Sequence, residues 1–331
     1  MKRVLAVDIL RFVSAFMVVL FHSNYFCKDI VNIIPRYAVP VFFMISGFFM
    51  YESDIQRFKE RLNRSIIKMI VITLVASLFF FFFYLPLYLR DGFPPLNTYI
   101  NFIVFNENPF AFHLWYLTAF LYVLMLFRAL VGTHVLKGII SYSPFLLLIN
   151  LLLGELGFLF WIDSLPNYML RNFLLEGLPC YSLGCLISIN KEKLLMSVRM
   201  FSSALMTVVA FSLMEYYYIK QWGCVEMATS TDLYFSSVLF SVVILIWSIQ
   251  PHSLNRIGEK VAEWGRKYSL DIYIFHVAFL VIIRSALKNN EDVLNVYSSF
   301  LEPIIVFLSA WGFAVVWYWI KQRIPFLNKY L

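Results

Sequence analysis

The chain has 331 residues, of which 61% are hydrophobic and only 14% charged, against about 25% charged in soluble proteins. Apolar runs long enough to span a bilayer recur throughout, which excludes a soluble globular protein and leaves no stretch for a separate soluble domain. The net charge of +7 points to membrane topology rather than to nucleic acid, because of where the basic residues fall.

The first apolar segment, 4–24, carries Asp8, Arg11 and His22. An Asp or Arg at the centre of a membrane helix costs about 2.5–3.5 kcal/mol on an insertion scale. Such residues face a protein interior or a watery cavity and have a function there. At about 100° per residue, Asp8, Arg11, Ala15, Val18 and His22 fall on one face. Arg11 and His22 are then roughly 16 Å apart along the axis. A removable signal peptide suits the basic start Met1-Lys2-Arg3, but not a charged pair within the apolar region, and no small-residue cleavage site follows.

The pattern predicts an all-α, polytopic integral membrane protein with about ten transmembrane helices: 4–24, 32–51, 66–88, 112–131, 139–160, 170–189, 200–219, 233–250, 268–286 and 302–321. The second has a dense apolar core of only 14 residues, Ala38 to Tyr51, short enough for a re-entrant segment. A full crossing is preferred because it keeps the basic stretch 57–68 on the side that holds most of the 27 Lys and Arg residues. By the positive-inside rule that side is the cytoplasm, and both termini lie there. No internal repeat is visible, which weighs against a transporter.

Along this frame the residues with chemical potential appear in order. Arg36 precedes the second helix and Arg171 begins the sixth, both on the outer side. They read equally well as snorkelling arginines or as an anion clamp for a phosphate or a lipid-linked diphosphate. Ser46-Gly47 reads as close helix packing, and the run Phe79–Phe83 as a lipid-facing surface. His113, in Phe112-His-Leu-Trp-Tyr116, opens the fourth helix at the depth where His22 ends the first. A lone His at a helix end is more often a cap. Two at one depth, one sharing a stripe with two intramembrane charges, make a candidate site for proton transfer. Glu176, beside Gly177 and Pro179, breaks the sixth helix and marks a cavity. Asp271 reads as a cap or pair near the inner surface, and His276 as a structural hydrogen-bonding group within the bundle. Cys27, Cys180, Cys185 and Cys224 form no CxxC pair and no metal-spaced cluster. Cys180 and Cys185 read as packing residues, a Cys27–Cys224 disulfide is disfavoured, and no metal site is expected. No GxSxG elbow, Walker loop or HExxH is present.

These residues resemble the membrane acyltransferase 3 family. The similarity lies in Asp8-x-x-Arg11 followed after ten residues by His22, then VPVFFMISGFF at 39–49, Arg61-x-x-Arg64, FHLWYL at 112–117, LPCYSLGCLI at 178–187 and SLDIYIFH at 269–276. The motifs keep the family's order and cover nearly the whole chain, so 1–331 reads as a single transmembrane acyltransferase domain. Two departures stand out: Phe12 replaces a glycine common after the arginine, and a proline usual after the inner arginines is missing from 65–70. The length is similar to that of short members that O-acetylate surface polysaccharides.

The resemblance implies transfer of an acyl group, commonly acetyl from acetyl-CoA, to a hydroxyl of a cell-surface or lipid-linked glycan. It implies a multi-pass protein of the bacterial inner membrane, with acyl-CoA, the glycan and the bilayer as partners. No nucleic acid and no tightly bound cofactor are expected. Arg11 and His22 carry over as the essential pair, and Arg61 and Arg64 as the inner-loop motif, expected to receive the phosphates of CoA. His22 is expected to act as base or as transient acyl carrier, two roles that sequence leaves open. Asp8 is expected to hold Arg11, and His113, Arg36, Arg171 and Glu176 to meet the acceptor. The rival readings are a transporter or flippase for a glycan-lipid or small acid, and a non-catalytic sensor module.

Overall fold

The computed structural model describes residues 4–157, 165–222 and 233–325. Among the described residues every regular element is helical. The longer helices are α1 (Leu5–His22), α2 (Ala38–Met50), α3 (Ile55–Asp91), α4 (Leu96–Phe105), α5 (Trp115–Leu130), α6 (His134–Tyr142), α7 (Leu146–Leu153), α8 (Leu178–Asn190), α9 (Val198–Trp222), α10 (Phe235–Ser248), α11 (Arg256–Leu287) and α12 (Glu302–Arg323). Among the described residues nine helical stretches are long and apolar enough to cross a membrane. The expected segment 233–250 forms the shorter apolar helix α10.

Three expectations change. The basic stretch 57–68, expected as an inner loop, is the first part of α3. Asp54 caps that helix by accepting from the Arg57 amide at 2.8 Å, the side-chain bond that satisfies an orphan donor at a helix start. With 37 residues, α3 is roughly 55 Å long, so it projects well past an apolar slab of about 30 Å. Likewise α11 begins at Arg256 rather than near 268, capped by Asn255 accepting from Gly258 at 2.8 Å. The expected helix 139–160 is two pieces, α6 and α7, separated by a 3₁₀ turn at Ser143–Phe145 that contains Pro144. Its last residues, like Cys224, lie outside the described residues.

Small residues bring the central helices into backbone contact. A Cβ at Gly265 would lie 1.9 Å from the Asp8 carbonyl oxygen, so α1 and α11 touch main chain to main chain. Gly47 on α2 and Gly184 on α8 meet Tyr181 O and Met44 O in the same way, at 2.0 Å each. This accords with the packing role read for Ser46-Gly47. Interfaces of this kind suit a bilayer, where close packing rather than hydrophobic segregation drives helix association. Phe12 is held by Trp264, Phe307 and Trp311, with ring centroids 5.4–5.9 Å away. Phe12 therefore adds an aromatic contact between α1, α11 and α12 beside Arg11.

Ion pairs made by buried carboxylates fix the same helices. Lys321 donates to Asp271 at 2.8 Å and ties α12 to α11. Arg284 donates to Glu302 at 2.6 Å, and the fully buried Glu302 also accepts from the Asn24 amide just past α1. Phe79–Phe83 does not form a wholly lipid-facing surface. Phe82 is exposed, but Phe80 is buried, and its ring meets that of His113 edge-on at 4.9 Å.

Candidate active site

The face of α1 predicted to be functional is turned inward: Asp8, Ala15 and Val18 are buried. Arg11 Nη1 donates to Asp8 Oδ1 at 2.9 Å. Its guanidinium also lies over the Phe49 ring at 5.2 Å. The carboxylate and the ring together stabilise a charge that the bilayer alone would disfavour.

At the other end of α1, His22 belongs to a cluster of three imidazoles. Its ring lies 5.2 Å from that of His276, and His276 lies 5.3 Å from His113. Two tautomers follow from backbone contacts. His113 Nε2 is 2.9 Å from the Ile274 carbonyl, and His276 Nδ1 is 2.7 Å from the Tyr273 carbonyl. A carbonyl only accepts, so both nitrogens carry hydrogen and donate. The remaining nitrogens, His113 Nδ1 and His276 Nε2, are buried without a hydrogen-bond partner. In the neutral form of each ring that nitrogen is a lone-pair acceptor, and buried polar groups of this kind call for a partner. Among the described residues no group of three or more His, Cys, Asp or Glu side chains is arranged to hold a metal ion.

Three spaces with shared lining residues lie around this cluster. A wide cavity of about 760 Å³ is lined by His22, Arg36, Arg171, Lys28, Lys220 and Tyr234 among others. A narrow one of about 40 Å³ lies against His22, His113, Arg36, Arg171, Glu176 and Tyr273. That is room for about three waters at roughly 10–15 Å³ each, or for a small group such as an acetyl. The third, about 280 Å³, is lined by Arg11, Lys68, Arg266, Ser269, Tyr116 and Tyr273. Tyr273 borders both the narrow space and the Arg11 cavity. Its hydroxyl donates to the His113 carbonyl, and its ring meets Tyr116 at 5.4 Å. Two tyrosines thus form the partition between the histidine end and the arginine end.

The sequence-predicted residues separate into two groups. His22, His113, Arg36, Arg171 and Glu176 converge on one narrow space, although they come from four separate stretches of chain. The break expected near Glu176 is a π-helical turn, Phe173–Gly177, which carries Glu176 buried; such turns recur at functional sites. Arg61 and Arg64 are not brought to the Arg11 cavity. Arg61 pairs with Glu52 at 2.8 Å, and Arg64 lies on an exposed face of α3. Lys68 reaches the cavity wall instead, one heptad after Arg61, joined by Arg266 from α11.

His276 makes the structural hydrogen bond read for it, to the Tyr273 carbonyl, and also stands, fully buried, between the other two imidazoles. Its signal was present: an ionisable group deep within an apolar helix is a functional candidate by default. Tyr273, Lys68 and Arg266 were missed as site residues, because nothing in their spacing says which cavity they border.

A bundle of membrane-length helices, with ionisable groups gathered between two cavities at its core, defines a multi-pass membrane protein built around a buried polar cluster. The family model described as an acyltransferase domain matches residues 4–321, and the chain belongs to the membrane acyltransferase 3 family. No curated protein and no solved structure matches it. It is a membrane acyltransferase.

Proposed function

We propose that this acyltransferase moves an acetyl group from acetyl-CoA to a hydroxyl of a cell-surface or lipid-linked glycan in the bacterial inner membrane. In this reading the arginine end faces the cytoplasm and admits the donor, and the histidine end faces outward and admits the acceptor. The observation that carries it is the pair of buried, unpartnered imidazole nitrogens beside His22, at a partition shared by two cavities. A hydroxyl entering that space meets acceptors for its proton.

An unactivated sugar hydroxyl is a poor nucleophile, so His22 takes its proton as the oxygen attacks the thioester carbonyl. The C–S bond breaks, and the departing thiolate recovers the proton from the imidazolium to leave as free CoA. As a carrier instead, His22 would take the acetyl on nitrogen, release CoA and pass the acetyl to the sugar oxygen. His276 and His113 orient His22 and the hydroxyl. Arg11, held by Asp8, positions the donor. Lys68 and Arg266 meet the CoA phosphates, with Arg61 about two turns and Arg64 about one turn earlier on α3, at the approach to the same cavity. Glu176, Arg36 and Arg171 meet the acceptor.

The test is transfer of labelled acetyl from acetyl-CoA to glycan in membranes carrying the wild type or His22→Ala. Transfer disappears in the variant, and the host's surface glycan loses its acetyl mass increments when the gene is deleted. Wild-type transfer by His22→Ala removes this residue from the mechanism. Trapping acetyl-imidazole by rapid quench decides between carrier and base.

A further inference from the structure

Arg36, placed above among the residues that meet the acceptor, has a setting that says what it meets there. It is carried on the 3₁₀ turn Ile34–Tyr37 that leads into α2, and it is 93% buried, with a relative exposure of 7%. Its Nε and Nη1 have no hydrogen-bond partner. Among the described residues no carboxylate forms an ion pair with it. Glu155 acts on it from beyond that distance, and the Glu155 carboxylate accepts from the Phe235 amide at 3.0 Å. The guanidinium is sandwiched by π faces, 5.3 Å from the Phe21 centroid and 4.4 Å from Tyr234.

An arginine keeps its charge wherever it is placed. Removing it from water without an anion is costly, and ring faces offset only a fraction of that cost. The two rings do hold the guanidinium plane in place, with its unsatisfied N–H groups fixed in direction. Arg36 lines both the wide and the narrow cavity, as His22 does. Among the described residues the wide cavity adds Lys28, Arg171 and Lys220 against Asp29 and Glu107, so four cationic side chains face two carboxylates.

We infer that Arg36 is the seat for an oxyanion carried by the acceptor, so that the acylated substrate is an acidic or phosphorylated glycan with its anionic group close to the reacting hydroxyl. This rests on the acyltransferase reading for the identity of the acceptor. The anion itself is either a uronate carboxylate or the diphosphate of a lipid-linked sugar. Both match the planar fork of an arginine.

Binding is measured by calorimetry on the purified full-length protein with three probes: a hexuronate-containing oligosaccharide, its carboxyl-reduced neutral twin, and a lipid-linked sugar diphosphate. At least one charged probe binds about tenfold tighter than the neutral twin, and the gap narrows with salt. The charged probe that wins identifies the anion. In Arg36→Gln the charged probe falls to the affinity of the neutral one. Should that variant not fold, Arg36→Lys replaces it: a point charge cannot reproduce the fork, so charged-probe affinity falls about threefold or more while neutral binding holds. Equal binding of all three probes by the wild type, or an undiminished charge preference in a folded Arg36 variant, overturns the assignment. Charge-selective binding without acetyl transfer keeps it and discards the transfer reading; transfer to the neutral twin at equal affinity does the reverse.

Discussion

The two ends of the core are built from different chemistry. The histidine end is crowded and its polar groups are incompletely satisfied: three imidazoles, two of them with unpartnered nitrogens, and an arginine that makes no ion pair among the described residues. The arginine end is open and its central charge is settled: Arg11 is paired with Asp8, and Lys68 and Arg266 look into a cavity of about 280 Å³. Unsatisfied, rigid groups suit bond-making, where an incoming atom completes them only as it reacts. A roomy basic cavity suits holding a flexible, phosphorylated donor whose reacting end lies elsewhere. Under the proposed function, binding and chemistry are separated along the axis of α1, with Tyr116 and Tyr273 between them.

The most severe way to break this comparison is at the histidine end. His22→Ala is expected to lower acetyl transfer by about 10²–10⁴-fold, the usual worth of general acid–base catalysis, measured as label passed from acetyl-CoA to glycan. Next, His276→Gln is expected to lower kcat by about tenfold or more with an unchanged KM for acetyl-CoA, because it disturbs only groups engaged in the transition state. A raised KM with intact kcat would move His276 to binding. The third change tests the frame common to both ends. Gly265→Ala places a methyl 1.9 Å from the Asp8 carbonyl, so α1 must shift from α11. A cost of about 1–3 kcal/mol, typical of overpacking, is expected as a lower melting temperature in detergent, together with reduced transfer.

The arginine end gives a milder prediction that sharpens the comparison. Lys68→Ala with Arg266→Ala is expected to raise KM for acetyl-CoA about tenfold and leave kcat nearly unchanged. Arg61→Ala with Arg64→Ala is expected to have a smaller effect, since these residues line no wall of the cavity; a larger effect from this pair would return the phosphate contacts to them. Least of all, Arg90→Ala removes only an exposed bridge to Asp91, of a kind that solvent screens, and transfer is expected to stay at the wild-type level.

Much of this was readable before any coordinates. Hydropathy acts residue by residue against the bilayer, so the membrane segments and the cost of Asp8, Arg11 and His22 within one of them follow from local chain chemistry. The shared stripe on α1 follows from helical period, and the inward face of that stripe was anticipated from the cost of placing charges in lipid. Helix starts were less visible. The caps at Asp54 and Asn255 extend α3 and α11 beyond the apolar window into polar sequence, where hydropathy is silent.

Which side chains meet was decided only by packing. His22 and His276 are neighbours because Gly265 lets α11 lie on the backbone of α1, and because Arg284–Glu302 and Asp271–Lys321 lock α12 alongside. Those contacts join residues far apart in the chain, and no periodicity encodes them. The same holds for Lys68 standing at the cavity wall while Arg61 turns to Glu52. A single chain of residues specifies what must be buried; the partner each buried group finds depends on how the helices settle against one another.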